Sequence, residues 1–147
     1  MTPASLTGLV GKEMLSPWHE VTQEAIRQFA DVTDDFQWIH VDPDRARKDS
    51  PYGGTIAHGF LTLSLISHLL REAVGAIDGT RMSINYGLNK VRFPSALPAG
   101  SRVRGRCTLQ KLDDIEGAVQ ATWSVLVERD GGAKPCCAAE WLVRYYL

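Results

Sequence analysis

Asp35 and His40 stand five residues apart, and Ala57-His58-Gly59 follows before an apolar run from Phe60 to Leu70. A carboxylate and an imidazole at short range can share proton transfer near neutral pH. A glycine at the entry to an apolar helix presents free backbone N–H groups to a developing anion. Acid, base and oxyanion site therefore fall within one segment, Thr33 to Ser67. Asp35, His40, Asp42 and His58 match no familiar metal-ligand spacing, so no metal is expected. Asp42 before Pro43 has the character of a helix cap.

Several elements must hold these groups in place. Thr2 to Lys12 reads as an irregular lead-in, and Glu13 to Val21 as a first strand confined to an edge by Pro17. Thr22 is an N-cap for a short helix, Gln23 to Asp31, that delivers the chain to Asp34-Asp35. A second short helix spans Asp44 to Lys48, and Ser50 to Gly54 is a turn cluster. A long helix opens at Thr55 or Ile56 and runs to about Val74, with a stripe of Ile56, Phe60, Leu63, Ile66, Leu70 and Val74 that marks it for burial. Gly75 and Gly79 end it.

Alternating patterns then predict four antiparallel strands. The first carries Ile84, Tyr86 and Leu88, with a parity shift at Asn89-Lys90 that suggests a bulge. The second carries Val103, Cys107 and Leu109 opposite Arg102, Arg104 and Arg106. The third carries Val119 to Val127, and a last one Cys137 to Tyr145, after a hairpin signal at Asp130-Gly131-Gly132. One long helix wrapped by a curved antiparallel sheet is an α+β architecture. Such a sheet leaves an outer strand exposed, which predicts pairing with a second copy.

The 147 residues, 44% of them hydrophobic, suffice for a single domain over residues 1–147 with a real core. A net charge of -1 argues against general nucleic-acid binding. Charge is uneven, however: Arg81 to Leu112 holds seven basic residues and no acidic one. That strip is either a solvated sheet face or a landing site for a phosphorylated small molecule. Cys107, Cys136 and Cys137 form no disulfide or zinc pattern and read as small packing residues in a reducing compartment, the adjacent pair pointing to opposite faces. The first residues lack a secretory pattern and the longest apolar run is too short for a bilayer, so a cytoplasmic protein with no membrane partner is expected.

The segment Thr33-Asp34-Asp35-Phe36-Gln37-Trp38-Ile39-His40-Val41-Asp42, with Ala46, then Ala57-His58-Gly59, resembles the MaoC-like dehydratases, which include the (R)-specific enoyl-CoA hydratases and have the hot-dog fold. Asn89 to Pro94 and Pro98-Ala99-Gly100 resemble the same family. Gln37 and Trp38 stand where that family usually has Asn and Pro, a form similar to the nodulation-protein-N-like branch. The resemblance implies a hydro-lyase that adds or removes water across C2–C3 of a trans-2-enoyl thioester. Asp35 and His40 would activate the water, the Gly59 N–H would stabilise the thioester oxygen, and Ser67 would support Asp35. Trp38, Ala57, His58, Lys90 and Arg92 are expected to line or bind the substrate. No cofactor is implied, since coenzyme A or an acyl-carrier arm belongs to the substrate. Taken singly, Asp35 is an ordinary turn carboxylate and His40 an ordinary structural histidine; their combination at the family's spacing points to catalysis. A non-catalytic hot-dog subunit and an acyl-CoA thioesterase on the same fold are the alternatives.

Overall fold

The computed structural model describes residues 2–147. Its element order is α1 (Ala4–Thr7), β1 (Glu13–Leu15), β2 (His19–Glu20), α2 (Gln23–Thr33), α3 (Trp38–Val41), α4 (Pro43–Asp49), α5 (Gly59–Ser64), α6 (Ile66–Val74), β3 (Met82–Arg92), β4 (Arg102–Ile115), β5 (Ala118–Arg129) and β6 (Cys137–Tyr146). The strands form one antiparallel sheet in the order β1-β4-β5-β6-β3, with β2 also on β4. One edge is therefore the broken β1/β2 ribbon and the other is the long strand β3.

The expected first strand is split. Between its halves, the Ser16 hydroxyl accepts a hydrogen bond from Gly105 N and donates one to the Pro17 carbonyl. The lead-in contains a short helix, α1, because Leu6 is wholly buried in the core and its neighbours wind around that anchor. Thr22 and Asp42 cap α2 and α4 as their types predict, each accepting from a backbone N–H three residues on.

The long helix begins at Gly59, not at Thr55 or Ile56. The four residues before it pair with the loop after β3: Ala57 N donates to Leu97 O at 2.8 Å and Ala99 N to Thr55 O at 3.0 Å. The helix breaks at Leu65 and ends at Gly75, whose φ of 79° suits a glycine. Leu61, Ile66, Leu69 and Leu70 turn to the sheet, but Phe60 does not: it is 69% exposed. Gly105 on β4 lets helix and sheet close, since a Cβ there would lie 2.9 Å from the Cβ of Leu69.

Alternate residues of β4, β5 and β6 enter the core as expected, from Val103, Cys107 and Leu109 to Trp123, Trp141 and Tyr145. All three cysteines are buried and free; Cys136 and Cys137 do not divide between core and solvent, because Cys136 precedes β6 and is not held to its pleat. Burial pushes the Cys107 thiol up to about 12, consistent with inert packing. Strand β3 differs from the others. Met82, Ile84, Tyr86 and Leu88 are exposed, and the register shifts twice, between Asn85 and Gly87 and between Leu88 and Lys90.

The basic strip is a solvated face for most of its length. Arg104 Nε lies 2.9 Å and Arg106 Nε 2.6 Å from the Glu128 carboxylate; Arg106 also pairs with Glu13, and Arg102 with Asp130. Hydrogen bonding from Arg106 is the main reason Glu128 titrates below the ordinary range. These arginines are matched in place and make no free phosphate rail. No helix among the described residues is long and apolar enough to cross a membrane.

Candidate active site

Asp34, in the left-handed conformation with φ 57°, ends α2 and turns the chain so that Asp35 opens the loop. The Asp35 side chain is exposed; one carboxylate oxygen faces Gln37 N at 3.4 Å. The single turn α3 then swings His40 inward, where it is buried. Gln23 stitches these pieces together: its Nε2 donates to His40 O at 2.8 Å and its Oε1 accepts from the Thr55 hydroxyl. Helix α2, the turn and the Thr55–His58 segment are thereby tied at one point. Nothing in the sequence marks Gln23 for this role, since a polar residue at a helix start is unremarkable.

His40 Nδ1 lies 2.7 Å from the Ile56 carbonyl. A carbonyl can only accept, so Nδ1 carries the proton and Nε2 keeps its lone pair. Burial, aided by the nearby His58 ring, lowers the His40 pKa from the ordinary histidine value, outweighing the Ile56 hydrogen bond and the Asp35 charge. The neutral imidazole is the form that can take a proton at neutral pH.

This sets a pH dependence. Base catalysis by His40 should hold level through neutrality, and the acid limb of log kcat/KM should lie below about pH 6.5, the ordinary histidine value. A limb centred above that value would show that His40 is not the base. Stability has the same sign. The unfolded chain binds the proton more readily, so this contribution is complete above about pH 6.5 and falls away as pH drops toward the lowered folded value.

His58 is only 2% exposed, and its Nε2–H donates to the Asp35 main-chain carbonyl at 2.9 Å. Its ring stacks on His40 at a centroid distance of 3.9 Å and rests against Phe29 at 4.9 Å. It thus braces both Asp35 and His40 from behind and lies within the protein rather than on a substrate surface. Asp35, His40 and His58 each bring one ligand-type atom within 4.8 Å of the others. One nitrogen of each ring is already engaged, His40 Nδ1 by the Ile56 carbonyl and His58 Nε2 by the Asp35 carbonyl, and the rings stack face to face. A gap of that size between carboxylate and imidazole suits one bridging water.

Gly59 is the first residue of α5, so its N–H has no acceptor within the helix. The Phe93 ring lies against it, and a Cβ there would meet that ring at 3.3 Å. Gly59 and Ala57 line a cleft of about 590 Å³ with Tyr52, Thr62, Phe93 and Arg129. Trp38 is half-buried, with the Arg45 guanidinium 4.3 Å from its ring centre. Lys90 and Arg92 are exposed at the end of β3 that leads into Phe93. Ser67 lies elsewhere: it is exposed and faces a cleft of about 410 Å³ between α6 and β3, walled by Leu70, Val74, Trp141, Val143 and Tyr145. No hydrogen bond joins Ser67 to Asp35 among the described residues. The groups at Asp35 are His58 and Gln37 instead.

A buried imidazole, an exposed carboxylate and a helix-entry N–H come together as a candidate acid–base site where the helices meet one antiparallel sheet. Residues 6–129 match the MaoC like domain, and the chain belongs to that family. It is 50% identical over 144 residues to 3-hydroxyacyl-thioester dehydratase Z of Mycobacterium tuberculosis, covering 97% of this chain and 94% of the relative. It is 44% identical over 142 residues to Nodulation protein N of Rhizobium leguminosarum bv. viciae, covering 95% and 88%. Among solved structures, an (R)-hydratase from A. caviae involved in PHA biosynthesis superposes with a TM-score of 0.75 over 91% of this chain and 94% of its own, at 24% identity, which bears out the expected fold.

Proposed function

We propose that this chain is a hydro-lyase that interconverts a trans-2-enoyl thioester and its 3-hydroxyacyl thioester. One observation carries the chemistry: a ring nitrogen of His40 and a carboxylate oxygen of Asp35 lie within 4.8 Å, on a histidine whose Nδ1–H is fixed to Ile56 O. The substrate class is supported by the dehydratase relative, half of whose residues are identical across nearly the whole chain.

In the hydration direction, a water bridges Asp35 and His40 Nε2. The pair takes one proton from it as the oxygen attacks C3. The C2–C3 π electrons move toward the thioester carbonyl, whose oxygen gains negative charge and is met by the Gly59 N–H. The pair then returns a proton to C2. Hydroxyl has gone to C3 and hydrogen to C2, and the enzyme ends in its starting state. Dehydration is the same path reversed.

Crotonyl-CoA tests this directly. The enoyl thioester absorbance should fall with no release of free thiol. Thiol release would mark a thioesterase, and no change with any enoyl or 3-hydroxyacyl thioester would leave only a non-catalytic subunit.

The proposal includes a homodimer joined along β3. Among the described residues that edge pairs only with β6, and it shows apolar side chains on both faces: Ile84 and Leu88 at 43% exposure, Tyr86 at 53%. An open edge of this length and polarity is rarely left unpaired. Sedimentation should give twice the 16.2 kDa chain mass, and Ile84→Lys with Leu88→Lys should return the chain to monomer. A wild-type monomer at micromolar concentration would refute it. A reducing, cytoplasmic setting fits the three free thiols.

A further inference from the structure

We propose that Arg129 is the anion anchor of the substrate cleft and binds the phosphate next to the pantetheine arm of the thioester. This rests on the thioester chemistry proposed above and names where its charged end is held.

Arg129 ends β5 and lines the same cleft of about 590 Å³ as Gly59. Its Nε is buried and has no hydrogen-bond partner. Nε itself is enclosed beside Gly132, so an anion would be met by the two terminal guanidinium nitrogens, which make no hydrogen bond among the described residues. The neighbouring sheet arginines differ: Arg102, Arg104 and Arg106 are all ion-paired, and Asp130, the acid next in sequence, is taken by Arg102. Arg129 forms no salt bridge among the described residues, and no carboxylate lines its cleft.

Ile56, Phe93, Leu97 and Pro98 form apolar walls, and Tyr52, Thr62 and Ser95 add neutral polar groups. An acid-free channel of apolar and neutral polar walls with one cation fits a neutral, amide-bearing arm that carries a single anionic group. Oxygen acceptors in the plane of a guanidinium fork match phosphate well. Gly132 makes the room: a Cβ there would lie 3.1 Å from Arg129 Nε and 3.2 Å from its Cβ. The hairpin that ends β5 thus leaves this side chain space beside the cleft. Lys90 and Arg92, expected to line or bind the substrate, lie exposed on β3 and are not among the residues lining this cleft.

The test pairs Arg129→Gln with Arg129→Lys and probes that differ only in the phosphate. By calorimetry, 4′-phosphopantetheine and coenzyme A should each bind Arg129→Gln about 10- to 100-fold more weakly than wild type, the usual scale for a charge-assisted hydrogen bond. Unphosphorylated pantetheine should bind both proteins alike, and Arg129→Lys should recover part of the loss. In turnover, KM for crotonyl-CoA should rise by the same factor with kcat retained, while crotonyl-pantetheine should be unaffected.

Equal loss with and without the phosphate would overturn the proposal, because the cleft itself would then be damaged. So would unchanged phosphopantetheine affinity, including the case where Arg129→Gln impairs only enoyl thioesters bearing a remote carboxylate. Binding is read without turnover, which separates the two proposals. A wild type that binds phosphopantetheine through Arg129 but turns over no thioester sinks the hydro-lyase and leaves the anchor standing.

Discussion

Asp35→Asn and His40→Gln are each expected to lower kcat by about 10²- to 10⁴-fold, the usual contribution of a positioned acid–base group. KM should change little, because neither side chain needs to contact the acyl chain or the arm in the ground state. Folding should survive Asp35→Asn, since the carboxylate is exposed and the structural bond at this residue is made by its main-chain carbonyl to His58. His40→Gln is more delicate, because it loses the stack on His58 and the bond to Ile56 O. Its melting temperature must therefore be read beside its rate. The double variant should be little slower than either single one, as the two groups handle the same water. Ser67→Ala should leave kcat near wild type, because among the described residues Ser67 makes no hydrogen bond to Asp35 and faces a different cleft. A folded Asp35→Asn protein hydrating an enoyl-CoA at the wild-type rate would end the case for this pair.

The second large effect concerns stability. Trp123→Ala should destabilise the fold by about 3–5 kcal/mol, the cost of emptying a large core site. Trp123 is wholly buried at the middle of β5, and its Nε1–H donates to the Tyr145 hydroxyl at 3.1 Å. Truncation would open a cavity and leave that hydroxyl without its donor. Against the 5–15 kcal/mol of an ordinary domain this is a large share. Trp123→Phe should cost clearly less, because most of the volume remains. Urea unfolding gives both values, and a loss of under about 1 kcal/mol for Trp123→Ala would mean that the core collapses into the space. Neither change touches the site, so kcat in the cold should hold while the protein stays folded.

Both effects trace to features that differ in how far they can be read along the chain. The alternation in β4, β5 and β6 fixes which residues face the core, because pleat geometry is local and period two admits one answer per strand. Helix caps are local too, so Thr22 and Asp42 were legible. The parity change at Asn89-Lys90 located one of the two irregularities in β3, while the other, beside Tyr86, breaks no visible pattern. The long helix starts a few residues later than its apolar spacing predicts, because Thr55 to Ala57 pair with Leu97 and its neighbours. Phe60 fitted the buried stripe by spacing but lies outside it, since a helix on one sheet buries one face only.

The sequence by itself determined the architecture, the placement of a carboxylate, an imidazole and a helix-entry glycine within one segment, and the resemblance that names their chemistry. Those properties follow from residue type and short spacing. Only the tertiary structure decided which groups serve the pair. Gln23, His58 and Ile56 O come from elements well separated along the chain, and they fix the tautomer of His40 and the path of Asp35 by contacts that no local pattern records. The same holds for charge. Seven basic residues in one strip suggested a phosphate site, but a cation attracts a ligand only if no acid has already neutralised it. Strand pairing brings Glu128, Glu13 and Asp130 to Arg102, Arg104 and Arg106, while Arg129, outside the strip, lines the cleft and forms no salt bridge among the described residues.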